Sequence, residues 1–327
     1  MAPALESTDL KNKLEDLSGV VLKPGENPYN ALIEVCDDDP TKIQSIYSAH
    51  RVKRNAQQKD KFLASDYAEL IIDPYLLRLE NPKIEPGFDP RNCMTFWGRP
   101  PIHVLELADE IQKRLKALSA NIWLMPLHRM HITTLELAFS RTAPEIESLK
   151  QSLSPAIPHI ASYTYLHRSR LVKPLISYDL SAFALSFLPA AGEPRLSPTS
   201  SSDVVAPENT AADVDGDDGY TYHHLRRDVW DQVKEAGVTV SSRYVVPSAH
   251  ITLGRYLTNA DHGTPAQRQR WVDGIDEINA WLETEVWDNP ASAWVGEWMV
   301  GQEKGLDVRV GTLWYGGGRT VQMGEGY

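Results

Sequence analysis

The chain reads as an α+β protein assembled from two related halves, and three observations lead there. Apolar residues at Val104, Leu105, Ala108, Ile111, Leu115 and Leu118 fall near the helical period within PIHVLELADEIQKRLKAL. Two further runs, HITTLELAF and HITLGRYL, are rich in β-branched and aromatic residues, which suit strands. Those runs open on the same three residues, His131-Ile132-Thr133 and His250-Ile251-Thr252, and strand-like and helix-like sequence precedes each. A shared element order at so long a separation indicates a diverged internal duplication of α+β units, not a short-period repeat.

Residues 1–90 form an N-terminal extension with a helix around TKIQSIYSAHRVKRNAQQKDKFLASDYAELI, expected to pack on the first lobe. Its basic cluster, Arg51, Lys53, Arg54, Lys59 and Lys61, reads as a solvated helix face. The first lobe, 91–170, takes the amphipathic helix, the short apolar run NIWLMP, the strand HITTLELAF, and helices over APEIESLKQSL and PAIPHIASYTYL. The second lobe, 171–327, opens with the strands LVKPLISYDL and SAFALSFLPA. It then carries an insertion over 190–219, AAGEPRLSPTSSSDVVAPENTAADVDGDDG, rich in Pro, Ser, Asp, Gly and Ala and without apolar periodicity, the composition of a disordered loop. After it come the helix HHLRRDVWDQVKEAG, the strand with the second motif, the helix PAQRQRWVDGIDEINAWLETEV, and strands over WVGEWMV, DVRVGTLWY and RTVQMG.

A length of 327 residues with 42% apolar content supplies an ordinary globular core. The first residues lack an apolar stretch after a basic start, and no later run approaches the ~20 apolar residues a membrane helix needs, so a cytoplasmic or nuclear location without membrane association is expected. The two cysteines, Cys36 and Cys93, are far apart and without metal-type spacing, which indicates neither a disulfide framework nor a zinc site. No cofactor is implied. The net charge of −11 argues against a broad footprint on long nucleic acid, because such binding is driven by clustered Lys and Arg. Over half of that charge is local: residues 191–220 hold seven acids against Arg195 alone. A small anionic ligand is compatible with the remainder.

Alternate side chains of a strand share a face, so His131 and Thr133 project together, as do His250 and Thr252, with Ile132, Thr134, Ile251 and Leu253 behind. If the two strands meet, two imidazoles and two hydroxyls converge. Histidine titrates near neutral pH, so one neutral ring can take a proton from an attacking hydroxyl while a protonated ring gives one to a leaving oxygen. In-line displacement at phosphorus needs those two events on opposite sides. Threonine hydroxyls can donate to the non-bridging oxygens and stabilise the charge that builds there, without a metal.

The paired tetrapeptides HITT and HITL resemble the two His-Φ-Thr/Ser-Φ signatures of the two-histidine (2H) phosphoesterase superfamily, which includes RNA 2′-5′ ligases and 2′,3′-cyclic phosphodiesterases. NIWLMP before the first motif and PSAHIT at the second resemble its fungal branch described as RNA ligase/cyclic nucleotide phosphodiesterase-like. By element order the resemblance runs from Asn92 to the C-terminus, but it is specific at the tetrapeptides and their flanks. It implies a bilobed fold of two antiparallel sheets, helices outside, related by a pseudo-two-fold axis around a central cleft. It also implies an acid-base pair in His131 and His250, phosphate contacts from Thr133 and Thr252, and a small nucleotide or RNA end as substrate. Two other uses of such a cleft remain open: the same chemistry on a non-nucleotide anionic metabolite, and a non-catalytic RNA or nucleotide binder. Oligomeric state is not readable from the sequence.

Aromatic side chains could stack a base, and Trp314, Tyr315 and Tyr178 are candidates by position. Arg255, two past Leu253, is expected to face away from His250 by alternation. His128 with Glu136 has a spacing that suits one helix face, yet the segment reads as strand or turn, so a loop histidine is expected and no metal site. His223 and His224 at a helix start are expected to face solvent, and Arg168, Arg170 and Lys173 to lie in a solvated turn rather than at the cleft mouth.

Overall fold

The structure, a computed structural model, describes residues 15–81, 83–84, 89–196, 218–242 and 244–327. Residues 197–217 of the insertion expected over 190–219 lie outside the described residues. The elements are α1 (Asn30–Val35), α2 (Pro40–Leu63), α3 (Pro74–Glu80), β1 (Asn92–Gly98), α4 (Ile102–Leu118), β2 (Ile122–Leu124), β3 (Ile132–Arg141), α5 (Ala143–Leu153), α6 (Ile157–Ala161), β4 (Arg170–Tyr178) and β5 (Ala182–Pro189). They continue with α7 (Tyr222–Glu235), β6 (Ala249–Tyr256), α8 (Pro265–Trp281), β7 (Trp298–Met299), β8 (Leu306–Gly311) and β9 (Arg319–Met323). This is a mixed α+β architecture whose antiparallel strands curl into a half-barrel with helices around it.

Local sequence accounts for the helix starts. Asp39 accepts from the Thr41 amide with Pro40 in the first turn of α2, and Thr142 with Glu145 and Thr264 with Gln267 form reciprocal caps on α5 and α8. Val104, Ala108, Ile111 and Leu115 are all buried, so the apolar stripe of α4 does face the core.

Among the described residues the strands run β7-β4-β5-β6-β3-β1-β8-β9, with β2 on β6. Two separate sheets were expected; hydrogen bonding instead continues as one sheet, because β6 meets both β2 and β3 on one edge. The contact between β3 and β6 is a single residue pair, Ile132 with Ile251, so the two strands touch and then diverge. Both isoleucines are at most 1% exposed, and their burial stabilises the junction by about 1.5–3 kcal/mol each.

Two placements differ from the sequence expectation. Strands β8 and β9, in the stretch assigned to the second lobe, extend the half that contains β1 and β3, since β8 pairs with β1. Long-range pairing of this kind leaves no local sequence signal. The N-terminal helix α2 packs on β4, β5 and α8, not on the first lobe. Its arginines explain why: Arg51, only 6% exposed, donates to the carbonyls of Lys173 and Ser186 at 2.8 and 3.2 Å, and Arg54 pairs with Asp179 at 2.7 Å. Part of the expected solvated basic face is therefore turned inward.

Candidate active site

Continuing the Ile132–Ile251 register by one residue on each side sets His131 opposite Thr252 and Thr133 opposite His250. All four side chains line one small chamber of about 60 Å³. Each strand is braced from behind by a helix. The Tyr222 hydroxyl of α7 donates to the Thr133 carbonyl at 2.8 Å, and the Gln112 amide of α4 donates to the Leu253 carbonyl at 2.8 Å.

Immediately after each motif the strand carries a bulge. On β3 the register passes from Thr133 opposite Trp97 to Leu135 opposite Phe96, which leaves Thr134 as the extra residue. On β6 it passes from Thr252 opposite Ala184 to Gly254 opposite Phe183, which leaves Leu253 extra. Alternation breaks at the same motif position in both strands. Its consequence is that Glu136 joins the face of His131 and Thr133, and Arg255 joins the face of His250 and Thr252, so both line the chamber. The expectation that Arg255 faces away is thus reversed by one inserted residue. Gly254 was the available signal, because a Cβ there would overlap the Trp123 carbonyl oxygen and come within 2.5 Å of the Phe183 ring.

The two histidines differ in their surroundings. At His131 the ring stacks on Trp97 with centroids 3.5 Å apart and planes 14° from parallel. Its Nδ1 lies 2.8 Å from the Arg129 carbonyl oxygen, which can only accept; Nδ1 therefore carries the proton and Nε2 holds the free lone pair. His250 instead has the Ser248 hydroxyl 3.0 Å from Nδ1, a partner able to donate or accept. Burial pushes the His131 pKa down to about 3, the Arg129 carbonyl opposing and Arg99, His250 and Arg309 adding to the fall. Burial likewise lowers His250 to about 4, with Arg54, Arg226 and Arg255 adding and Asp179 opposing. Both rings are neutral at pH 7 and stand in a field of arginines, an environment poised to receive an anion.

The small chamber shares Tyr244, His250, Thr252 and Arg255 with a larger one of about 410 Å³. Arg51 and Arg54 of α2, Asp179, Tyr178 and several serines line this second space. Of the stacking candidates, Trp314 lines the small chamber and Tyr178 the large one. Tyr315 lines neither: it is 7% exposed, lies edge-on to Trp123, and its hydroxyl accepts from Arg91 at 3.2 Å. Sequence reasoning missed Trp97, Glu136 and the α2 arginines.

Other residues fall outside the cleft. His128 is exposed in a single turn of helix. His223 and His224, expected at the surface, are 1% and 4% exposed: His223 bonds the Tyr47 hydroxyl and the Tyr29 carbonyl, and His224 pairs with Asp38. The N-terminal segment covers that helix start. Arg170 is buried between Asp218 and Glu297, Lys173 pairs with Glu193, and Arg168 stacks on Tyr327. Among the described residues no three His, Cys, Asp or Glu side chains gather at ion-binding spacing, and no helix is long and apolar enough to cross a membrane.

Family models and curated proteins were both searched with this chain, and neither search returned a match.

Proposed function

We propose that this protein is a phosphodiesterase of the two-histidine type, acting without a metal on a 2′,3′-cyclic nucleotide or a related RNA-end phosphate. The observation that carries the reading is the Ile132–Ile251 pairing, which turns both His-x-Thr motifs onto one chamber. The recurrence of strand, helix and His-bearing strand as β1–α4–β3 and β5–α7–β6 supports a pseudo-two-fold relation between two lobes, with the axis near that pair.

In the mechanism we assign, a cyclic phosphate enters between the rings. Thr133 and Thr252 donate to its non-bridging oxygens, where negative charge grows in the transition state. His131, with its lone pair fixed on Nε2, takes a proton from the attacking water. Water forms a new P–O bond, the bond from phosphorus to one ribose oxygen breaks, and His250 protonates that oxygen. His250 takes the proton it needs from solvent as the substrate binds: an anion beside the ring offsets the arginines and raises its pKa from about 4. The products are a phosphomonoester and a free ribose hydroxyl. A cytoplasmic or nuclear setting and a small nucleotide as partner belong to the same reading.

The test is turnover of 2′,3′-cyclic nucleotides in excess EDTA by the parent and by His131→Ala and His250→Ala. Each substitution is expected to lower kcat by about 10²–10⁴-fold. A well-folded parent with no turnover, or loss of activity on chelation, overturns the proposal.

A further inference from the structure

The two bulges place residues of opposite charge at matching positions: Glu136 after the first motif and Arg255 after the second. The chamber therefore carries charges of opposite sign from its two strands. Arg255 stands where the small chamber opens into the large one and lines both. Its Nε is buried without a hydrogen-bond partner, whereas Arg54, nearby in the same space, is engaged by Asp179. A buried guanidinium donor left unpaired costs free energy, and an acceptor on a bound ligand would relieve that cost. The large chamber, about 410 Å³, has far more room than the reacting phosphate alone requires.

We propose that Arg255 anchors a second anionic group of the substrate, so that the preferred substrate is a cyclic-phosphate nucleotide carrying a further phosphate at its other end. The proposal rests on the phosphodiesterase reading for the position of the first phosphate. Arg255 lies three residues past Thr252 with one of them bulged, roughly 7–10 Å along the strand. That is close to the separation of two phosphates carried on the 2′ and 5′ oxygens of one ribose. With Arg54 paired to Asp179, the uncompensated positive charge along the large chamber is that of Arg51 and Arg255. Arg51 turns its Nη1 to the carbonyls of Lys173 and Ser186, while Arg255 stands beside the reacting site, where a guanidinium offers phosphate a two-pronged donor set. Glu136 holds the matching position on the other strand, where its side chain offers no donor to a second phosphate, so the further anionic group lies on the Arg255 side.

The experiment is calorimetric titration of the full chain with adenosine 2′-monophosphate and adenosine 2′,5′-bisphosphate, repeated on Arg255→Gln and Arg255→Lys. The parent is expected to bind the bisphosphate about tenfold tighter. Arg255→Gln should reduce that ratio to about twofold or less, and Arg255→Lys should keep part of it. Equal binding of the two nucleotides by the parent, or a ratio unchanged in Arg255→Gln, overturns the proposal. Binding needs no turnover, so the two readings separate. Turnover of cyclic nucleotides without a bisphosphate preference removes this inference and leaves the phosphodiesterase. A preference lost in Arg255→Gln without turnover does the reverse.

Discussion

The half of the site around His131 and the half around His250 begin with identical tripeptides and end in different chemistry. His131 is walled in: Trp97 covers one face, a carbonyl fixes its proton, and the space before it is small. His250 stands at a doorway, with a hydroxyl partner that can reverse its role and a large basic chamber beyond. A duplicated strand therefore fixes where the reactive atoms go, while the elements packed against each copy fix what they do. On one side those are β1 and the turn at Arg129; on the other they are α2 and the β4–β5 hairpin.

The largest expected effect breaks the pair apart by leaving group. If His250 protonates the departing oxygen, a substrate whose leaving group needs no proton should bypass its loss. With a p-nitrophenyl phosphodiester, His250→Ala is expected to keep activity within about tenfold of the parent, while His131→Ala remains about 10²–10⁴-fold down. Equal losses in both variants on both substrates would refute the assignment of base and acid. The reverse pattern, with His131→Ala rescued, would exchange the two roles.

How far the sequence carried this comparison is visible at single residues. Strand alternation alone puts His131 with Thr133 and His250 with Thr252, because period two holds across three residues of regular strand. It failed at Glu136 and Arg255, where one extra residue per strand shifts the phase, and nothing in the apolar pattern of HITTLEL announces a bulge. Gly254 gave a hint on the other strand, since an isolated glycine in a strand marks a bulge or a close backbone approach. Arg51 and Arg54 were unreadable for another reason. Their helix is basic along much of its length, and which face turns inward depends on carbonyls of Lys173 and Ser186 more than a hundred residues away. The same distance hid the return of β8 to β1.

A smaller effect tests whether the second bulge shapes the second half. Gly254→Ala forces a methyl against the Trp123 carbonyl and the Phe183 ring, and overpacking of this kind costs about 1–3 kcal/mol. The loss should be measurable as a lower denaturation midpoint with the slope unchanged. Because the bulge aims Arg255, the variant should also lose bisphosphate selectivity while still binding adenosine 2′-monophosphate. A variant as stable as the parent and equally selective would show that the bulge is incidental to the site.

The smallest effect comes from separating the two site histidines from a third that shares their lowered pKa. His262 is 1% exposed among Phe62, Tyr256 and Trp271, and neither ring nitrogen has a hydrogen-bond partner. Burial pushes its pKa down to about 4, with Arg268 and Arg270 adding and Asp261 opposing. In the unfolded chain an ordinary histidine takes up its proton near pH 6.5, so between there and about 4 the unfolded state binds more protons than the folded one. Stability must then fall as the pH drops through that window, by about 1 kcal/mol from this residue between pH 7 and 5.5. His131 and His250 act in the same direction, but a bound phosphate favours their charged forms and should remove their share of the decline. His262 lies outside the two chambers and keeps its share. Thermal denaturation at pH 7 and 5.5 should therefore show a decline that saturating adenosine 2′-monophosphate reduces but does not abolish, and that His262→Leu reduces further. If the nucleotide leaves the pH dependence untouched, the bound phosphate does not sit between His131 and His250, and the contrast between the two halves loses its chemical basis.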